Sequence, residues 1–333
     1  AVCINCRANA SLTIVEPYAV LIQGPEVVSR IEPGTSDSIQ VTITATGSRT
    51  ANWNITYDTS NLPNGWNVAP EAGTNLQDVE LSPAVPVEIP FIASLPSDAL
   101  GDEDGYIEIT ATLVSDSSVQ TTSWIPIEAL RTRGLSLVGP TGIASSEGYG
   151  IPGHKAETYV LIENLGNAVE TTTSIDWTST SWGGTPVLND GTTNVYSITL
   201  QPGELKELTI LLDVPISTSL GSSSSTTLTT CIGSGDDTLC RSLDANFTAV
   251  GAHASPTHIR TVPATTHQFE FLMNLPQSGT LNWDLNQANI ALPNWQWNVS
   301  SGGSIQNGVL TATGVGNSLH TVELEVYIPP NAP

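Results

Sequence analysis

The chain has 333 residues, with 32 Asp plus Glu against 9 Lys plus Arg and a formal net charge of −23. That length suits two or three domains of roughly 100–150 residues, and that charge repels nucleic acid and anionic lipid, which excludes both as expected partners. No apolar run approaches the ~20 residues of a membrane helix, and acid spread along the chain reads as a solvated surface suited to saline water.

The opening stretch AVCINCRANASLTIV carries Cys3 and Cys6, an Asn-x-Ser sequon at Asn9, and an apolar finish at Leu12, Ile14 and Val15. It has the grammar of CRSLDANFTAV, which starts at Cys240, and so reads as the last strand of a hairpin placed ahead of the first domain. A Cys-x-x-Cys can mark a redox or zinc site. Here no helix start follows to lower a thiol pKa and no second Cys or His pair completes a zinc site, so a structural disulfide is the better reading.

Beyond residue 24, alternation at period two dominates, with Ile39, Val41 and Ile43 in SIQVTIT and Ile107, Ile109, Ala111 and Leu113 in YIEITATL. The turn GDEDGY between strands places Asp102, Glu103 and Asp104 together. Such hard oxygen ligands would suit calcium, although the spacing lacks the full loop signature and a solvated turn is the other reading. Further along, Cys231 and Cys240 flank IGSGDDTL as a staple across a hairpin loop, worth roughly 2–3 kcal/mol if closed. Phe269, Phe271 and Met273, then Val322, Leu324, Val326 and Ile328, continue the alternation to the end. Gly, Pro, Asn and Ser clusters punctuate the strands, and no segment has a helical stripe with caps. The fold class expected is all-β.

Internal similarity sets the architecture. NWNITYDTSNLPNGWNV from Asn52 returns as NWDLNQANIALPNWQWNV from Asn282, and a looser version contains Trp177 and Trp182. Two more anchors recur in the same order: a strand rising after Pro33, Pro152 and Pro263, and the segments LPSDALG, VPISTSLG and IPPNAP. This predicts three copies of one sandwich, at 25–132, 133–252 and 253–333, preceded by the strand segment 1–24. Trp53 and Trp283, in alternating strands, are expected in the core. Trp66 and Trp297 follow turns, where an exposed ring could stack on sugar, but core or edge packing is the better reading because a motif repeated within a repeat serves the shared fold. The five histidines are dispersed, and the pair His253 and His258, weighed as a metal site, falls in a polar stretch read as a linker. No nucleophile elbow, zinc helix or phosphate loop occurs, so no enzyme, catalytic residue or cofactor is expected.

The run ETYVLIENLGNAVETT, followed by the Trp segment, LQPGELKELTILLDVP and a Gly-Ser turn into a last hairpin, resembles the immunoglobulin-like domains of archaeal and bacterial surface proteins of the cell-adhesion-related type. The resemblance implies a sandwich fold and a role in spacing, stalk formation or adhesion, and it carries over no catalytic residue. The sequons at Asn9, Asn54, Asn246 and Asn298, the local cysteine pairs and the Lys-poor composition point to an extracellular glycoprotein.

The third copy carries no counterpart of the last hairpin of its siblings, while residues 1–15 look like such a hairpin's tail. Two arrangements produce this: donation of the opening strand to the third domain of a neighbour, giving a head-to-tail filament or pilus, or a window cut from a longer array. The expected function is an extracellular structural subunit whose partners are copies of itself. The alternative is an adhesin stalk or accessory module binding surface glycans, which exposed Trp66, Trp182 or Trp295 would favour.

Overall fold

The computed structural model describes residues 16–255, 262–274, 278–284, 295–316, 318–330 and 332, with Trp283 and Asp284 as backbone. Two compact units divide the chain between Thr132 and Arg133.

The first unit contains β1 (Val20–Gln23), β2 (Ser29–Ile31), β3 (Ser36–Ala45), β4 (Ala51–Asp58), β5 (Asn67–Pro70), β6 (Val79–Leu81), β7 (Pro86–Ser94), β8 (Asp104–Leu113) and β9 (Gln120–Ala129). One sheet runs β1-β3-β7-β5 and the facing sheet β2-β9-β8-β4-β6. With β2 parallel to β9 and all other pairs antiparallel, this is the immunoglobulin-like strand order. Alternation explains the core. Ile39, Val41 and Ile43 from β3 and Ile107, Ile109 and Ala111 from β8 are each 0% exposed. Each large aliphatic among them contributes about 1.5–3 kcal/mol of burial. Trp53 is buried between the sheets. The stretch read as a separate opening segment contributes β1, whose Val20–Gln23 pair with Thr42–Ala45.

The first part of the second unit, which runs from Arg133 to Pro333, repeats this order. Its strands are β10 (Leu135–Val138), β11 (Ser145–Gly150), β12 (Lys155–Asn164), β13 (Glu170–Trp177), β14 (Val187–Asn189), β15 (Asn194–Val195), β16 (Thr199–Leu200), β17 (Leu205–Asp213), β18 (Ser223–Ile232) and β19 (Leu239–Ala249). β10-β12-β17-β14 matches the first sheet above and β11-β19-β18-β13-β16 the second. β11 joins the two sheets at a corner, running parallel to β19 while Gly150 pairs with Ala156 of β12. A Cβ on Gly150 would lie 2.5 Å from the Ala156 Cα, so this approach requires glycine.

The remaining strands are β20 (Ala252–Ser255), β21 (Thr266–Asn274), β22 (Gly279–Asp284), β23 (Gln296–Ser301), β24 (Ser304–Gln306), β25 (Val309–Gly314) and β26 (Leu319–Tyr327). β20-β21-β26-β23 reproduces the first sheet a third time, and β22-β25-β24 makes the start of the second. His253, read as part of a linker, lies in β20. Among the described residues no strand corresponds to β8 and β9 or to β18 and β19.

The recurring sequence anchors have a common physical cause. Gly34, Gly153 and Ala264 each take a left-handed conformation after a proline. Their N–H groups donate to Leu95, Val214 and Ile328, and those three residues donate back to Thr35, His154 and Thr265. The post-proline turn and the distant Leu-Pro, Val-Pro or Ile-Pro segment are thus the two sides of one closed corner, made three times.

Candidate assembly groove

The groove is built by β21, β22 and β26. In the first unit β4 is paired on both edges, by β6 and by six residues of β8; in the second, β13 lies between β16 and β18. β22 pairs along one edge with β25 from Gly279 to Asp284. Among the described residues, no strand lies along its other edge. A sheet edge without a neighbour presents N–H and C=O groups that an added strand can take up.

The inward face of β21 carries the consequence. By the shared corner, Phe269, Phe271 and Met273 stand where Ile39, Val41 and Ile43 stand in β3. The three β3 residues and Met273 are fully buried, whereas Phe269 and Phe271 are half-buried. They pair across the sheet with Leu324 and Val322 of β26, which are 1% and 0% exposed. Phe269 and Phe271 are therefore less covered than the β26 residues they pair with. The core cluster there contains Met273, Leu310, Ala312 and Val322, with Leu281, Trp297 and Val299 packed around it as half-buried neighbours. A phenylalanine has on the order of 150–250 Å² to bury, and these two partly covered rings together leave on the order of 100 Å² of it exposed.

The other sequence-predicted sites are scattered. The proposed donor residues Leu12, Ile14 and Val15, together with Cys3, Cys6, Asn9 and His258, lie outside the described residues. Cys231 and Cys240 face each other across β18 and β19 with Cα atoms 4.1 Å apart and are joined by a disulfide. Asp102 accepts from Arg131 at 2.6 Å and Glu103 accepts the Leu100 N–H at 3.4 Å, while Asp104 opens β8. The three acids of the calcium reading do not converge, and among the described residues no group of three acidic, His or Cys side chains could hold a metal.

Of the sequons, Asn54 accepts from the Asp78 N–H, Asn246 donates to Glu147 at 3.5 Å, and Asn298 is exposed and donates to Glu325 at 3.3 Å. Trp66 is buried, its indole N–H without a hydrogen-bond partner among the described residues, and Trp182 and Trp295 are half-buried. The most exposed tryptophan among the described residues is Trp124, 66% exposed. Its phase against inward Ile125 and Ile127 is the signal in the sequence that places it outward.

No family model matches the chain and no curated protein matches its sequence. Solved structures that resemble it include a protein from Porphyromonas gingivalis, 12% identical over 70% of this chain and 99% of that one at a TM-score of 0.25. Others are the CsuC–CsuE chaperone-tip adhesion subunit pre-assembly complex of Acinetobacter baumannii Csu pili (12%, 70% and 99%, TM-score 0.22) and the class 5 fimbriae chaperone CfaA (12%, 67% and 99%, TM-score 0.24). At such scores the likeness carries nothing about function. Among the described residues no helix is long and apolar enough to cross a membrane.

Proposed function

We propose that the chain is a structural subunit of an extracellular filament or surface array, joined head to tail by addition of a strand from one copy to the open edge of β22 in the next. The observation that carries this reading is the half-buried inner face of β21 at positions whose counterparts in β3 are sealed. Residues 1–15 are the donor. Leu12 and Ile14, two apart, share a strand face that can meet Phe269 and Phe271, and backbone bonds to β22 supply the rest. Covering on the order of 100 Å² of ring surface at about 25 cal/mol/Å² contributes about 2–3 kcal/mol per junction before ordering costs. A contact between two different surfaces propagates without closing, which makes fibres. The reading assigns no catalytic activity.

The test is negative-stain microscopy of the chain beside a version lacking residues 1–15, each with and without synthetic peptide 1–15. Filaments from the full chain, none from the shortened chain, and shorter filaments with excess peptide are the expected results. Discrete particles in every sample would refute assembly and leave a segment of a longer surface stalk.

A further inference from the structure

The outer face of the β2-β9-β8-β4-β6 sheet holds an aromatic platform that the assembly reading does not use. Alternation along β8 and β9 puts Tyr106, Glu108 and Thr110 outward opposite Pro126, Trp124 and Thr122. Trp124 and Tyr106 are 66% and 37% exposed, and their ring centroids lie 6.2 Å apart at an interplanar angle of 62°. With Pro126 they line a shallow open concavity of about 450 Å³. Large exposed rings gathered on a soluble surface cost solvation and mark contact sites.

The polar groups around the rings are already ordered. Trp124 Nε1–H donates to Glu108 Oε2 at 3.0 Å, which fixes the indole and leaves the second carboxylate oxygen at the rim. On the next rung the Thr110 and Thr122 hydroxyls lie 2.9 Å apart, adding donors and acceptors beside the apolar floor.

We propose that this platform binds a neutral glycan, with the C–H face of a pyranose laid on Trp124 and Tyr106 and its hydroxyl edge hydrogen-bonded to Glu108 and the threonine rung. A pyranose is amphipathic in this sense, apolar on its ring face and polar at its edge, and it matches an apolar floor with a few placed polar groups. Glu108, Asp104 and a net charge of −23 disfavour anionic sugars. A cation would need free carboxylates facing the rings. Here one Glu108 oxygen is held at the indole edge, Glu128 is paired with Arg30 at 3.1 Å and Asp58 is taken up by Ser60, which leaves too few carboxylates beside the rings to enclose a cation.

The experiment is saturation-transfer NMR and calorimetry on the full chain with neutral hexasaccharides of gluco, manno and galacto configuration. Hexalysine and a proline decapeptide serve as competing probes. The expected result is binding of at least one hexasaccharide, weakened about tenfold or more by Trp124→Ala and by Tyr106→Ala, a loss of ~1.4 kcal/mol or more. Unchanged thermal unfolding of both variants shows that the fold is intact. No binding of any hexasaccharide, binding that both variants retain, or binding of hexalysine or the proline peptide alone overturns the proposal.

Discussion

Ile39 and Phe269 occupy the same position in two copies of one frame, so the same truncation at both measures how open the groove is. Ile39 is 0% exposed and faces Phe91, also 0% exposed, across β3 and β7. Ile39→Ala removes a sealed side chain and costs about 2–5 kcal/mol. A fully buried phenylalanine truncated to alanine costs about 3–5 kcal/mol; with Phe269 only partly covered, somewhat less, ~2–3.5 kcal/mol, is expected in the absence of a donor. The assay is hydrogen exchange followed by mass spectrometry on the chain lacking residues 1–15, read at β7 for the first substitution and at β26 for the second. Peptide 1–15 should then raise protection of β21 and β26, and Phe269→Ala should weaken peptide binding about tenfold, or ~1.4 kcal/mol. A cost for Phe269→Ala that equals the full buried value and does not respond to peptide would show the face already sealed and refute the groove.

Three further outcomes follow from particular residues. Ala264 has φ 64° where the equivalent Gly34 and Gly153 have 79° and 85°. Ala264→Gly relieves about 1–2 kcal/mol of left-handed strain against about 0.4–1 kcal/mol of added unfolded-chain freedom, so unfolding of that frame should shift to higher temperature, and a downward shift contradicts the corner assignment. Replacing Cys231 and Cys240 by serine opens the β18–β19 staple and should cost roughly 2–3 kcal/mol in urea unfolding of the second unit, with no change in the first. Asp58, Asp116 and Asp190 are held below the ordinary aspartate range by hydrogen bonds from Ser60, Ser118 and Thr193 with Thr192. A folded pKa below the unfolded one gives stability that is present above about pH 4 and lost as pH falls through the folded values. The urea midpoint should decline below about pH 4, and the triple Asp→Asn variant should decline less.

What the residues disclosed followed from how local the cause was. Period-two alternation marked β3, β8, β21 and β26 because one face of each lies on a core. The three corners were legible because proline and a left-handed residue leave a fixed trace. The Cys231–Cys240 pairing needed nothing beyond a short hairpin. The fate of Asp102 was not legible, since its partner Arg131 is 29 residues away on a neighbouring stretch. Trp66 is buried, as its repeated motif suggested, although strand phase could not have said so, because its backbone N–H bonds back to Pro63 in a turn. Trp124 was readable from its phase.

The charge of the chain sets how a head-to-tail contact must respond to salt. Each copy carries −23, so two copies approaching over tens of ångströms repel before any strand is exchanged. The screening length is ~10 Å at 0.1 M and ~3 Å at 1 M ionic strength. The junction itself is argued from backbone hydrogen bonds and the Phe269 and Phe271 rings, and neither is weakened by salt at these levels. The elongation rate followed by light scattering should therefore rise as sodium chloride is raised from 0.01 to about 1 M, while the dissociation rate of formed filaments stays nearly constant. A rate that falls with salt would mean that opposite charges, Arg7 of the donor against acidic residues of the acceptor, draw the copies together, and the apolar groove would then no longer account for the junction.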